Sequence, residues 1–597
     1  MKQLVHNGVF VPKYQPKGSH IRVKGKDLEL TPRQEEMAVA WVKKLTAGQI
    51  RDNVMVRNFL ADFCKSLNEK GKLGPEDFDF SAIESHINQE KALKPSLPRE
   101  ERKRMTEQRK AEKEADRQKY GYALVDGVKT EISNFAAEPS CIFMGRGRHP
   151  LRGRWKEGPD EEDIELNLSP DATKPPGNWK AVLWLPDVMW TARWRDKLTS
   201  RMRYVWLSES SPLKQKKEIE KFSKAGELRE NLSRIQNHIW GGLDSDDLRR
   251  RKTATVCYLI DRLKIRVGDE KDPEEADTVG ASTLRPEHID FEEDGEVTFS
   301  FLGKDSIPHI FRVDLPPEVV RNLKDFSADT TSTLFSGVDS ERVSEFLGEV
   351  LNGLSAKDFR TCYASEAVEN ALKSTPLKAD APDHVKKHVA TMANLEAAKI
   401  CNHRRTVSKT WKSSLRRRQA RLREQIHRAK ETQRMTKRKI REMEEQSGGR
   451  LRKQQARLEA TEQKLERYRQ EATARRQEGR MSAALGRRIG LTHGVIRRLK
   501  DHIGSLKRKR DERVKTREER LEKRRQRDES IIRKMSLQIE SRKETRDYNL
   551  GTSLKSYIDP RIYYRWGREV DYDWKLYYPK ALQKKFSWVE TEASESA

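Results

Sequence analysis

The polar section at residues 411–545 constrains the fold of this chain more than any other feature. Uncharged residues recur there in two runs at alternating spacings of four and three, which is the repeat of helices that pack as a coiled coil. The runs are Leu422, Ile426, Ala429, Gln433, Thr436, Ile440 and Met443, then Leu485, Ile489, Thr492, Ile496, Leu499, Ile503 and Leu506. Lys and Arg surround both runs. The sequence therefore predicts two helices of an antiparallel coiled coil.

The point of reversal between these two helices follows from their lengths. Equal arms place it near Gln477–Arg480, and Ser447–Gly449 then predicts a break within the first arm. A reversal at Gly448 would leave the returning arm far too long. We therefore expect the turn near Gly479.

Composition indicates what the chain binds. Lys and Arg number 122 against 94 Asp and Glu, which gives a net charge of +28 and a pI near 9.7. Charged residues make up 36% of the chain and apolar residues 35%, so part of it must be solvated helix rather than core. Such a charge favours a polyphosphate partner, hence nucleic acid. The alternative is a ribosome-like or merely soluble basic protein.

Several classes of protein are disfavoured by what the sequence lacks. Its cysteines are scattered singly, without the spacing of zinc ligands, and are typical of reduced intracellular thiols. No run is apolar enough to span a bilayer, and the first residues lack the apolar core of a signal peptide. There is no phosphate-binding loop for ATP and no acidic cluster typical of a magnesium site. We expect no membrane association, no cofactor and no obligatory metal.

Residues 1–208 mix strand patterns with helices. Thr31 and Pro32 form a helix start, and residues 99–120 form a helix so charged that it must face solvent or a charged partner. Residues 143–150 read FMGRGRHP, where glycines would let the backbone approach a phosphate beside Arg146 and Arg148. By itself this pattern is weak.

The central part, residues 209–410, is more helical and more apolar. Residues 296–302 and 307–313 alternate like two strands of a hairpin with Lys304 near its tip. A lysine at a hairpin tip is ordinarily just solvated. Nearer the C-terminus, residues 550–562 read LGTSLKSYIDPRI, in which Tyr557 precedes an Asp-Pro turn. A tyrosine in such a place is most often a packed residue.

Taken together, these segments resemble the eukaryotic-type type IB DNA topoisomerases. Six segments match or resemble patterns of that family, in the family's order. They are residues 143–150 (F-x-G-R-G-x-H-P), 264–271 (L-R-x-G-N-E-K), 301–306 (F-L-G-K-D-S), 353–361 (G-L-x-A-K-x-F-R-T), 401–405 (C-N-H-x-R) and 550–561 (L-G-T-S-x-x-x-Y-x-D-P-R). Asp269 replaces the usual asparagine of the second pattern. The resemblance extends over nearly the whole chain.

The resemblance implies a mixed α+β multidomain DNA clamp that acts as a monomer. Residues 1–208 would form an α/β cap that binds DNA, and residues 209–410 a mainly α catalytic domain of the tyrosine recombinase and type IB topoisomerase kind. Residues 411–545 would be the coiled-coil linker, and residues 546–597 a C-terminal domain with the active-site tyrosine.

The resemblance also implies a mechanism for relaxing positive and negative supercoils without ATP. Tyr557 would attack the phosphorus and form a 3′-phosphotyrosyl intermediate. Arg266 and Arg360 would hold the nonbridging oxygens, with His403 as a further donor, and Lys304 would be the general acid. Because a phenol has an ordinary pKa near 10, these cations must also favour the phenolate that develops in the transition state.

Two further groups of residues follow from the same resemblance. The expected DNA contacts are Arg146, Arg148, Lys271, Asp305, Lys357 and Thr552. In camptothecin-sensitive members an asparagine precedes the tyrosine and an arginine lies in the cap. Here these positions hold Ser556 and Leu183, while Asp305 retains the third expected drug contact. We therefore expect poor poisoning by camptothecin.

Other interpretations remain open at this stage. A tyrosine recombinase shares the Arg, Lys, His and Tyr chemistry but has neither cap nor coiled coil, and residues 143–150 argue against it. A non-enzymatic coiled-coil DNA-binding protein is the second alternative. Nuclear members of the family usually carry a long charged leader before the cap. This sequence begins at the cap, so we expect the nucleoid of a cell without a nucleus, with the nucleus as the alternative.

Overall fold

We describe a computed structural model of the chain. It describes residues 1–50, 52–69, 73–145, 149–268, 278–293, 296–303, 307–328, 332–477 and 483–595. The described chain is a mixture of helices and small sheets, as the sequence predicts. It divides into two compact units, one made of residues 1–379, 393–405 and 548–597, and one made of residues 380–392 and 406–547.

The N-terminal part of the first unit contains four small sheets. Its strands are β1 (Leu4–His6), β2 (His20–Val23), β3 (Lys26–Glu29), β4 (Phe78–Asp79), β5 (Tyr122–Val125), β6 (Val128–Glu131), β7 (Cys141–Ile142), β8 (Trp155–Lys156), β9 (Glu165–Asn167), β10 (Ala181–Leu183), β11 (Trp190–Arg195) and β12 (Met202–Trp206). The strand orders are β1-β5-β6, β3-β2-β4, β7-β8 and β10-β9-β11-β12. Only β9 and β10 pair in parallel among these described strands.

The helices of this part are α1 (Pro32–Thr46), α2 (Asn53–Ser66), α3 (Ser81–Ser96) and α4 (Arg99–Tyr120). The predicted start of α1 is confirmed, because the Thr31 side chain accepts from the Gln34 backbone and the Gln34 side chain accepts from the Thr31 backbone. Helix α4 buries none of its residues, as its charge predicts.

The remainder of the first unit is mainly helical. Its helices are α5 (Pro212–Glu230), α6 (Leu232–Leu243), α7 (Leu248–Leu263), α8 (Pro317–Ala328), α9 (Ser340–Gly348), α10 (Ala356–Lys373), α11 (Asp383–Ile400, whose first half belongs to the second unit), α14 (Leu550–Ser556), α15 (Pro560–Glu569), α16 (Lys580–Lys585) and α17 (Trp588–Glu595). One sheet lies among them in the order β13 (Ile289–Phe291), β14 (Glu296–Gly303) and β15 (Ile307–Asp314).

The predicted hairpin is confirmed by β14 and β15. These strands pair antiparallel from Glu296 with Asp314 to Gly303 with Ile307. Alternate residues of β14, such as Phe299 and Phe301, are buried in the core shared with α7 and α10. The hairpin is therefore anchored by one face of β14.

Two glycines bring distant segments together just after α7. Gly268 has a φ of +121°, and a Cβ on it would lie 2.7 Å from the Gly280 backbone. A Cβ on Gly280 would lie 2.7 Å from the carbonyl oxygen of Arg266, which accepts from the Ala281 amide. Only residues without a side chain allow this approach. It fixes the backbone that carries Arg266.

The second unit contains two long antiparallel helices, α12 (Trp411–Gln477) and α13 (Ala483–Glu544). All fourteen predicted seam residues are buried or half-buried. Lys500 bonds Glu462 at 2.8 Å and Arg469 approaches His493 at 3.2 Å, so both pairs are centred on residue 481. The coiled coil is confirmed. The predicted reversal near Gln477–Arg480 falls on residues that, after Gln477, lie outside the described residues.

The predicted break at residues 447–449 is wrong, because α12 continues through it. A glycine in a helix costs only about 1 kcal/mol relative to alanine. Ile440 and Leu451 on either side of the glycines are buried in the seam with α13. Packing against the partner helix therefore outweighs the weak helix preference of the glycines.

Residues 411–545 carry most of the net charge of the protein. They contain 44 Lys and Arg against 20 Asp and Glu, so +24 of the total of +28 lies there. Most of these side chains are exposed. The second unit therefore presents a strongly positive surface.

Candidate active site

A cleft of about 760 Å³ in the first unit brings many of the predicted site residues together. Those that line it are Arg266, Lys357, Arg360, His403, Thr552, Ser556 and Tyr557. They come from the segment after α7, from α10, from the segment after α11, and from α14. Residues that are far apart in the sequence therefore meet in one place.

Arg360 lies at the centre of these contacts. Its Nη1 donates to the Tyr557 hydroxyl oxygen at 3.2 Å, and its Nη2 donates to the Cys401 carbonyl at 2.9 Å and lies 3.2 Å from Nε2 of His403. Its buried Nε has no hydrogen-bond partner among the described residues. The guanidinium group thus contacts both the candidate nucleophile and His403.

The first turn of α10 explains how Arg360 is positioned. The Asp358 carboxylate accepts from the backbone amide and the hydroxyl of Ser355, both at 2.8 Å, which fixes the start of the helix. Phe359 and Thr361 are buried in the core. Their neighbour Arg360 is directed into the cleft.

The end of α11 explains the position of His403. Asn402 has a φ of +49°, its amide donates to the Lys399 carbonyl, and the His403 amide donates to the Ala398 carbonyl at 2.9 Å. This is the Schellman arrangement, which favours glycine or asparagine at the left-handed position. The asparagine of the C-N-H pattern therefore turns the chain so that His403 enters the cleft.

Tyr557 lies at the end of α14. Its amide donates to the Ser553 carbonyl at 2.9 Å, and its carbonyl accepts from the Ser365 hydroxyl at 3.2 Å. Ser365 belongs to α10, so one helix holds both Arg360 and the backbone of Tyr557. The rings of His403 and Tyr557 lie 5.1 Å apart.

Burial and positive charge set the protonation of two histidines here. Burial, with the charge of Arg360, lowers the pKa of His403 to about 3. Burial, with the charges of Arg360, Arg266 and Arg404, lowers the pKa of His309 to about 4. Both imidazoles are neutral at neutral pH. The positive charge of the described part of the cleft therefore comes from arginine and lysine.

Arg266 lies in the same cleft as Arg360, and its charge acts on His309. Two guanidinium groups with a neighbouring histidine and a tyrosine suit the transfer of a phosphoryl group, because they can fork around the phosphate oxygens.

Other predicted site residues lie elsewhere. Lys304, Asp305, Lys271, Arg146 and Arg148 lie outside the described residues. The ends of the hairpin strands on either side of Lys304, Gly303 and Ile307, line the cleft. Leu183 ends β10 in the N-terminal part and does not line this cleft.

The sequence interpretation missed three residues of the cleft region. Ser553 lies 2.7 Å from Nδ1 of His403, Ser365 holds the Tyr557 segment, and His309 approaches Asn402 at 2.8 Å. Ser553 could have been identified from the sequence, because it lies in the same segment as Tyr557, residues 550–562. His309 and Ser365 give no comparable pattern.

The described residues offer neither a cluster of metal ligands nor a helix that could span a membrane. Within them no three His, Cys, Asp or Glu side chains come together as metal ligands would. None of their helices combines the length and hydropathy of a membrane span. The expectation of no cofactor remains a prediction.

Comparison with known proteins agrees with this arrangement. Residues 1–207 match the family model "Eukaryotic DNA topoisomerase I, DNA binding fragment", residues 210–440 match "Eukaryotic DNA topoisomerase I, catalytic core", and residues 529–596 match "C-terminal topoisomerase domain". DNA topoisomerase 1 of Candida albicans is 30% identical over 630 residues, covering 99% of this chain and 79% of that protein.

Two other relatives extend the comparison. DNA topoisomerase 1 of Homo sapiens is 29% identical over 615 residues, covering all of this chain and 71% of that protein. DNA topoisomerase 1 beta of Arabidopsis thaliana is 36% identical over 419 residues, covering 68% of this chain and only 45% of that protein. The chain belongs to the eukaryotic DNA topoisomerase I family, a family of isomerases that relax DNA.

Family membership settles two broader expectations. DNA is the partner, and the protein is associated with chromosomal DNA. The expected nucleoid of a cell without a nucleus is not supported, because these relatives are eukaryotic, and the nucleus fits them. The position at which this sequence begins was a poor guide to compartment.

Proposed function

We propose that this protein relaxes supercoiled DNA by reversible exchange of phosphodiester bonds at Tyr557. The tyrosine oxygen attacks the scissile phosphorus, the bond to the 5′ oxygen breaks, and the strand is held as a 3′-phosphotyrosyl ester. The released 5′ hydroxyl later attacks this ester and reseals the strand. Because the ester conserves the bond energy, the cycle needs no ATP.

The observation that carries this proposal is the pair of contacts made by Arg360. The same guanidinium group lies 3.2 Å from the Tyr557 oxygen and 3.2 Å from His403. A permanent positive charge beside the phenol oxygen stabilises the negative charge that the attacking oxygen and the phosphate share in the transition state. The guanidinium groups of Arg360 and Arg266, which both line the cleft, then supply donors for the nonbridging oxygens of a phosphate.

The leaving 5′ oxygen requires a proton, and we assign its donor as Lys304. The lysine itself lies outside the described residues, but the ends of both flanking strands line the cleft. The assignment rests on these strand ends and on the F-L-G-K-D-S pattern that contains Lys304. His403 is assigned as a further donor to a nonbridging oxygen.

A plasmid assay tests the proposal. Negatively and positively supercoiled plasmids should both relax without ATP and in the presence of EDTA, and the covalent adduct should be found on the 3′ end of the broken strand. Tyr557→Phe should bind DNA with unchanged affinity but form no adduct, because only the attacking oxygen is lost. An adduct on the 5′ end, or one that survives this substitution, would contradict the assignment.

Binding to DNA should depend on backbone charge rather than base sequence. Lys357 and Thr552 line the cleft and are assigned as DNA contacts, together with Arg146, Arg148, Lys271 and Asp305, which lie outside the described residues. With +24 in residues 411–545, counterion release should make the affinity fall steeply with salt. Little preference among duplex sequences is expected.

Three broader assignments complete the proposal. The chain acts as a monomer, with the cap, catalytic, linker and C-terminal domains divided at residues 208, 410 and 545. We assign the protein to the nucleus, on the evidence of its eukaryotic relatives. Light scattering of the free protein and a fluorescent fusion in its own cells would test oligomeric state and compartment.

A further inference from the structure

Ser553 joins His403 to the nucleophile. It is fully buried on α14, and its hydroxyl oxygen lies 2.7 Å from Nδ1 of His403. Its carbonyl accepts from the Tyr557 amide at 2.9 Å. One residue therefore holds the imidazole ring with its side chain and the backbone of Tyr557 with its main chain.

The contacts of His403 assign its proton. Arg360 Nη2 can only donate, and it lies 3.2 Å from Nε2 of His403. The ring is neutral at neutral pH because its pKa is lowered to about 3. Nε2 therefore accepts from Arg360, so the ring proton is on Nδ1, from which it is donated to the Ser553 oxygen.

This tautomer does not match the role assigned to His403. To donate to a phosphate oxygen through Nε2, the ring must carry its proton there rather than on Nδ1. A carbonyl or carboxylate beside Nδ1 would hold the proton in place, because such groups only accept. A hydroxyl can both donate and accept, so Ser553 can bond Nδ1 in either tautomer.

We propose that Ser553 is a positioning residue that allows His403 to exchange tautomers when DNA binds. In the empty cleft Nδ1–H donates to Ser553, and Nε2 accepts from Arg360. On a bound phosphate, Arg360 turns its donors to the phosphate oxygens, Ser553 donates to Nδ1, and Nε2–H donates to a nonbridging oxygen. One proton leaves Nδ1 for water and one arrives at Nε2 from water, so the ring stays neutral. This inference rests on the proposed function of the cleft.

A double-mutant cycle tests the coupling between the two side chains. Ser553→Ala should slow single-turnover cleavage of an oligonucleotide roughly tenfold, the effect of losing one well-placed hydrogen bond, with DNA affinity changed less than about twofold. In a His403→Ala background the same substitution should have little further effect. Ser553→Thr, which keeps the hydroxyl, should restore most of the rate in the chain that retains His403.

The matched control is another serine and histidine pair. Ser541 lies 2.8 Å from Nδ1 of His388 in the second unit. Ser541→Ala removes the same kind of bond outside the cleft and should leave cleavage unchanged. Should Ser553→Ala fail to fold, Ser553→Cys, which keeps the volume but bonds weakly, takes its place in the cycle.

The outcomes are distinguishable. Equal slowing by Ser553→Ala with and without His403 would show a purely structural serine and overturn the inference. Cleavage that is not slowed by Ser553→Ala would overturn it as well. If the unmodified protein does not cleave DNA at all, the proposed function fails instead.

Discussion

Arginine has different surroundings in the candidate active-site cleft and in the linker helices. Arg360 is half-buried and contacts Tyr557, His403 and a backbone carbonyl. Arg525 on α13 is exposed and bonds Glu522 and Glu529 at 2.7 and 3.1 Å. The linker holds far more such residues than the cleft.

The difference between the two places is solvation. In a cleft partly closed to water, burial lowers the pKa of His403 and His309, and the charge of Arg360 lowers both further through a low effective dielectric. An exposed ion pair on a helix contributes only about 0.3–0.5 kcal/mol. The linker charges therefore matter as a collective field for DNA, whereas each cleft arginine matters individually.

Arg360→Lys should produce the largest effect of the changes considered. Lysine keeps the positive charge but cannot reach Tyr557, Cys401 and His403 together, so cleavage should slow by roughly 10²–10³-fold, as for loss of one preorganised donor. Arg525→Lys on α13 is the matched control and should change nothing. Single-turnover cleavage measures both. Similar rates for the two variants would contradict an individual role for the cleft arginine.

Camptothecin should poison this protein less than a sensitive relative, by roughly tenfold or more, because two polar contacts worth about 1 kcal/mol each are expected to be missing. Ser556 lines the cleft and is too short for the amide contact, and Leu183 cannot donate a hydrogen bond. Ser556→Asn with Leu183→Arg should raise the amount of drug-stabilised cleavage complex. The same pair of changes should not alter relaxation without drug. Equal accumulation of the complex by the unmodified protein and a sensitive relative would refute this.

Shortening the linker should have an effect of only a few fold, and on relaxation rather than cleavage. Deleting 452–472 with 490–510 removes three heptads from each arm and keeps the pairing about residue 481. Because the charges in the linker act collectively, the deletion should change the rate or processivity of relaxation and its dependence on salt. Oligonucleotide cleavage should stay within about twofold of the rate of the full-length protein. A shortened protein that cannot cleave would place the linker in the scaffold of the active site.

Acid should destabilise the first unit modestly through its neutral histidines. The pKa of His403 is lowered to about 3 from 6.5, so the unfolded chain binds the proton first, and stability is lost as pH falls from about 6.5 toward 3. His403→Gln should therefore reduce the loss of Tm between pH 7 and pH 5 by a few degrees. His427→Gln, at an exposed linker position, should not. Identical acid sensitivity in both variants would argue against a buried neutral His403.

Much of the candidate site could be predicted from the sequence because the residues that meet in the cleft lie in short motifs. Each motif carries its own local reason to fold, such as the left-handed Asn402 before His403 and the close approach of Gly268. The seam of the linker was equally accessible, since a coiled coil repeats its packing every heptad.

What the sequence could not predict depends on packing between distant elements. The bond from Ser553 to His403 requires the rotation of α14 relative to the end of α11. The neutrality of His403 depends on burial that several elements create together. The continuity of α12 through Gly448 depends on packing against α13, and the helix propensity of the local sequence does not include that packing.

The glycines within α12 have a dynamic consequence. Gly448 and Gly449 have no side chains to shield the helical hydrogen bonds around them, and nothing lies within 4 Å of where their Cβ atoms would be. Local opening requires least free energy where few contacts must be broken, and helices bend at glycine and serine pairs. Amide hydrogens near residues 447–449 should therefore exchange with solvent faster than those beside Ile440 and Leu451. Helix α12 would thus be helical throughout on average, yet bend and open most easily near residues 447–449.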